Sequence, residues 1–179
     1  LEEFVLSRLE KELPSQVCFH NMKHSLEVYS LAELLGRAEG LPDEDLLLVR
    51  TAALLGDAGY LFETSEPASK AAEYARELLP KYKFSERQVE LVLQLMQDAA
   101  RGIKTTDSQR ILHDAVTNYL GRVDFQPQAE NLFQEQLSLR IIHSPEEGRT
   151  MLAQLLEKHS FSTNTAEKLR EVSNAEQLK

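Results

Sequence analysis

Two histidines stand four residues apart in Phe19-His20-Asn21-Met22-Lys23-His24. On a helix that spacing puts two side chains on one face. The pair could therefore supply a metal ligand and a general acid. Two surface or capping histidines would show the same spacing, and the pair alone does not choose. Asp57 directly follows the most apolar stretch of the chain, in Leu54-Leu55-Gly56-Asp57-Ala58-Gly59-Tyr60. Carboxylates are seldom buried without a partner or a cation, which makes Asp57 a second candidate ligand. Capping of the next turn would explain it equally well. Asp114 lies among Ile111, Leu112 and Val116, either as a third inward carboxylate or as a solvated helical one. A last polar feature is Tyr119-Leu120-Gly121-Arg122-Val123-Asp124-Phe125.

The elements that must position these residues read as helices. Apolar residues recur with helical period, and neither a strand pattern nor an internal repeat stands out. The expected fold is all-α, a compact bundle of about eight helices without a sheet, forming one domain over residues 1–179. The first helix covers Glu2 to Leu13 and stops at Pro14. The second runs from near Asn21 to Arg37. Asp43, Glu44 and Asp45 then favour a helix start, and Leu46 to Leu55 is apolar nearly all round, so it should be central. A loop follows from Gly56 to about Ser65. The next helix carries Ala71, Ala75 and Leu78 and ends at Pro80. Ser85-Glu86-Arg87-Gln88 is a capping box opening a helix through Met96. Further helices are expected over Ser108–Leu120 and Gln128–Arg140, after Ser144-Pro145-Glu146-Glu147, and after Thr165.

Composition narrows the function classes. The net charge of -9 argues against binding a nucleic-acid polymer. It leaves room for a small phosphorylated ligand, since a metal can invert the local field. Cys18 is the sole cysteine, so there is no intrachain disulfide and no paired-cysteine zinc site. No apolar run approaches the roughly 20 residues of a membrane span. The acidic, amphipathic start lacks the pattern of a signal peptide, and a reducing cytoplasm is the expected location. A homodimer would suit a helical domain with an apolar face to cover. His143, just before the Ser144 cap, should be exposed, and His159 should be a structural, hydrogen-bonded residue.

Taken in order, the motifs resemble the HD-domain superfamily of metal-dependent phosphohydrolases, most closely its small bacterial members. The resemblance rests on Phe19-His20-Asn21-Met22-Lys23-His24, on Thr51-Ala52-Ala53-Leu54-Leu55-Gly56-Asp57-Ala58-Gly59-Tyr60 and on Leu112-His113-Asp114-Ala115-Val116-Thr117-Asn118-Tyr119-Leu120-Gly121-Arg122. The late segment Lys158-His159-Ser160-Phe161-Ser162-Thr163-Asn164-Thr165-Ala166 adds to it. It implies a divalent metal (Mn, Mg, Fe, Ni or Zn) held by His24, Asp57 and Asp114, with His20 as general acid at the leaving group. The superfamily's naming His-Asp pair is Gly56-Asp57 here, so the fourth ligand position carries no donor. Ser65 stands where relatives often have a second-site histidine, and Val116 and Asn118 replace two carboxylates. This pattern points to a degenerate three-residue remnant with weak or absent metal, in a silent ligand-binding or regulatory domain. The alternative is an active phosphomonoesterase or phosphodiesterase using that remnant on a nucleotide or other small phosphoester. If metal is missing, Asp57 and Asp114 should repel each other, and one carboxyl pKa should rise.

Overall fold

The computed structural model describes residues 1–179. It contains ten helices and no strand. These are α1 (Glu2–Glu12), α2 (Met22–Ala38), α3 (Asp43–Leu55), α4 (Pro67–Leu78), α5 (Glu86–Ala100), α6 (Asp107–Thr117), α7 (Phe125–Ser138), α8 (Pro145–Lys158), and the short α9 (Asn164–Leu169) and α10 (Asn174–Gln177). The all-α expectation holds, with eight long helices and two short ones. Short 3-10 turns follow α3, α4 and α6, at Ala58–Leu61, Leu79–Tyr82 and Asn118–Gly121.

The helix starts follow from side chains that satisfy otherwise orphaned backbone amides. The Asn21 carboxamide oxygen accepts from the His24 amide at 3.1 Å, and its Nδ2 donates to the Cys18 carbonyl at 2.6 Å. Ser85 and Gln88 form the expected capping box at α5. A second capping box, Thr106 with Gln109, opens α6 just before the expected start at Ser108. Ser144 caps α8 through the Glu147 amide. Helix α7 begins at Phe125, three residues earlier than expected. Pro127 does not prevent this, because an amide in the first turn needs no intrahelical acceptor.

Helix α3 is the central element. Leu46, Leu48, Val49, Ala52, Ala53, Leu54 and Leu55 are all buried along it. All but Leu46 join residues of α1, α2, α5 and α6 in one core of 23 side chains. Each fully buried Leu or Val there contributes about 1.5–3 kcal/mol of transfer free energy. Thr51, also buried on α3, donates its hydroxyl to the Leu47 carbonyl at 2.7 Å. A second, smaller core gathers Leu120, Phe125, Ala129, Phe133, Ile142, Leu152 and Leu156, mainly from α7 and α8. The link between α7 and the main core is polar. Glu135 on α7 accepts from the amides of Phe19 (2.8 Å) and His20 (3.0 Å), and Cys18 donates to the Asn131 carbonyl at 3.2 Å. No helix is long and apolar enough to cross a membrane.

Candidate functional site

The site lies where the start of α2 meets the end of α3. Asn21 fixes the first residue of α2, so His24 falls in its first turn and His20 in the segment before it. The two histidines do not share a helix face. The chain turn brings them together anyway, with ring centroids 5.7 Å apart and nearly perpendicular. The His20 ring stacks on Tyr60 at 4.9 Å. Its Nδ1 makes a short hydrogen bond with Glu135, a carboxylate only 1% exposed. Burial opposes charge on His20, but the Glu135 hydrogen bond and the nearby charges of Asp57 and Glu135 outweigh it, so its pKa is raised. Burial likewise opposes charge on Glu135, yet the His20 hydrogen bond and charge, with the His20 and Phe19 amides, hold its pKa below the usual range. Both shifts favour the charged forms, pairing a half-buried imidazole with a buried carboxylate. For His24, burial wins over the attraction of Asp57, and its pKa is lowered.

Asp57 follows the last turn of α3 and caps nothing with its side chain. One carboxylate oxygen accepts from the Ser25 hydroxyl at 3.2 Å and lies 3.9 Å from His24 Nε2, too far for a hydrogen bond. The adjoining Gly56 has ordinary right-handed helical dihedrals. A Cβ there would meet only the Ala52 and Ala53 carbonyls, at 3.6 and 3.7 Å. Nothing in the backbone requires glycine at this position. Gly59 is different: its Cβ would lie 1.7 Å from the Pro67 carbonyl. It is the residue that lets the start of α4 close over the 3-10 turn.

A cavity of about 330 Å³ opens beside these groups. Its lining includes Phe19, His20, His24, Gly56, Asp57, Leu112, Val116, Thr117, Tyr119 and Gln136. It continues into a groove of about 460 Å³ between α2 and α6, which shares His24, Val28, Val116 and Tyr119. Helix α6 presents Leu112 and Val116 to the cavity, four residues apart on one face. Asp114 is two residues from each, so it is turned roughly 200° away. The structure brings His20, His24 and Asp57 together and places Asp114 elsewhere.

Asp114 is completely buried. Its carboxylate accepts from the Ser162 amide at 2.9 and 3.0 Å, the Thr163 amide at 2.8 Å and the Thr163 hydroxyl at 2.9 Å. Burial would raise its pKa, but these bonds and the neighbouring His113 prevail, and the carboxyl sits below the usual range. The expected repulsion between Asp57 and Asp114 therefore does not raise the Asp114 pKa, because the carboxylate faces donors. No three His, Cys, Asp or Glu side chains converge as a metal-ligand set. A metal site built from protein groups ordinarily uses at least three, and beside His24 and Asp57 this pocket has only His20, whose Nδ1 is taken by Glu135. The residues present do not fit the divalent metal that the resemblance implies.

His159 donates to or accepts from the Thr117 hydroxyl at 3.0 Å and stacks beside His113. Burial and the charges of His113 and Lys104 hold its pKa down to about 4. It is structural, as expected, and His143 is exposed. Two residues carry more than their sequence positions suggested. Glu135 is the partner of His20. It lies in Phe133-Gln134-Glu135-Gln136, with no local mark to separate it from the exposed acids around it. Val116 occupies the cavity wall, and its spacing from Leu112 was the available signal.

An all-helical fold with a histidine–aspartate pocket at the α2/α3 junction defines the class. Residues 21–178 match the HD domain family, and the chain belongs to that family. HD domains typically bind divalent metals. An "Uncharacterized protein" of Clostridium beijerinckii is 30% identical over 95 residues, covering 51% of this chain. The match spans 60% of that relative's own length. No solved structure matches the chain.

Proposed function

We propose that this chain is a catalytically silent HD domain that binds a small ligand in the α2/α3 cavity and acts as a ligand-binding or regulatory unit. The observation that carries the reading is the engagement of Asp114. Its carboxylate is spent on Ser162 and Thr163, while Gly56 and Val116 stand at the cavity wall without donors. An active metal-dependent phosphohydrolase would need Asp114 to abandon those bonds and cross to the opposite face of α6. Leaving buried amides unpaired costs about 1–3 kcal/mol each, which disfavours that alternative.

The test is elemental analysis of the purified chain, followed by a panel of phosphomonoesters, phosphodiesters and nucleotides with added Mn, Mg, Fe, Ni or Zn. The expected result is well below one equivalent of metal and no hydrolysis above background. Stoichiometric metal, with hydrolysis abolished by His24→Ala, would overturn the reading.

A further inference from the structure

The ligand class of the cavity follows from its charge and its walls. No lysine or arginine lines it. The cation nearest to hand, His20, is already bonded to Glu135. Because Glu135 carries the opposite charge, the pair adds no net positive charge to the pocket. Asp57 remains, with one oxygen bonded only to Ser25 and the other without a bonded partner. An anionic phosphoester would thus enter a pocket whose net charge is negative and whose metal set is incomplete, an arrangement with no offset for its desolvation.

The walls complement the opposite charge. Phe19 and Tyr119 meet edge to face at 5.2 Å, and Phe19 also packs on His24 at 4.7 Å. Aromatic faces attract cations through the ring quadrupole. The rest of the lining is mostly aliphatic, including Val28, Leu112, Val116 and Leu132. At about 330 Å³ the hollow lies at the small end of ligand pockets, which begin near ~300 Å³. A flat apolar body with one charged donor group fits both the volume and the single open carboxylate.

We infer that the cavity binds a small organic cation, an amidinium or ammonium group on an apolar or aromatic body, with Asp57 as its counter-ion and Phe19 and Tyr119 as its aromatic wall. This rests on the silent, ligand-binding reading above and names the ligand class that site takes.

Calorimetric titration of the full chain at neutral pH, with a chelator present, tests it using three probes that share a ring: benzamidine, benzoate and phenyl phosphate. Benzamidine is expected to bind at least about tenfold more tightly than either anion, the effect of one desolvated charge contact. Asp57→Asn is expected to weaken benzamidine by a similar factor. Val116→Phe, which narrows the cavity from its rim, should abolish binding. Phenyl phosphate binding as tightly as benzamidine would overturn the inference. So would benzamidine affinity unchanged in either variant, or no benzamidine binding at millimolar concentration. These results concern the ligand class alone. Metal content and hydrolysis, measured without chelator, decide the silent reading separately.

Discussion

At the residue scale, the pocket is defined by what Gly56 and Val116 lack. Both sit at the cavity wall with His24 and Asp57. Gly56 has ordinary dihedrals, and a Cβ there makes only ordinary contacts with the Ala52 and Ala53 carbonyls, so a side chain can start from this position without strain. Val116 is partly solvent-exposed and can accept a carboxylate without burying a lone charge. The double variant Gly56→His with Val116→Asp adds two donors facing the existing pair. It is expected to bind Zn(II) or Mn(II) at least about tenfold more tightly than the unmodified chain, the scale on which metal-site contacts change affinity. Gly56→His alone should give a smaller gain. Calorimetric metal titration checks this, and a double variant with unchanged affinity would mean that the four positions do not converge.

At the element scale, Asp114 works as a clamp. It ties α6 to the segment that starts α9, because the Thr163 hydroxyl that donates to Asp114 also accepts from the Ala166 amide at 3.2 Å. Asp114→Ala strands the Ser162 and Thr163 amides. The expected loss is on the order of 3 kcal/mol, seen in denaturant unfolding. Amide hydrogen exchange should rise at Ser162 and Thr163 and into α9, while α3 keeps its protection. Unchanged exchange in the 162–169 segment would refute the clamp. Asp98 plays a comparable part between α5 and α6. It is buried and accepts from Gln94 at 2.8 Å and Gln109 at 2.7 Å.

At the scale of the whole molecule, stability should depend on pH through half-buried histidines. Unfolded, His159 takes a proton near its ordinary value of about 6.5; folded, it is held down to about 4. Between those values the unfolded chain binds the extra proton. The stabilisation is therefore present above about pH 6.5 and is lost as pH falls toward 4. His20 has the opposite sign: its raised pKa contributes stability at low pH that is lost as pH rises through the folded value. Comparing the chain with His159→Asn isolates the first effect. The melting temperature of the variant should fall less steeply from pH 6.5 to pH 4, and parallel curves would rule out the assignment.

The all-α class, most helix limits, the centrality of α3 and the HD resemblance were legible in the sequence. They depend on local rules: apolar period, caps such as Asn21, Ser85 and Ser144, and stops such as Pro14. The pairing of His20 with Glu135 was not legible. It joins positions 115 residues apart and depends on how α7 docks against the start of α2. The direction of Asp114 was only half legible. Helical geometry says that Asp114 and Val116 cannot both face one cavity, but not which of them does. Tertiary packing decided it, because Ser162 and Thr163 arrive on the far side of α6 with donors that a buried carboxylate needs.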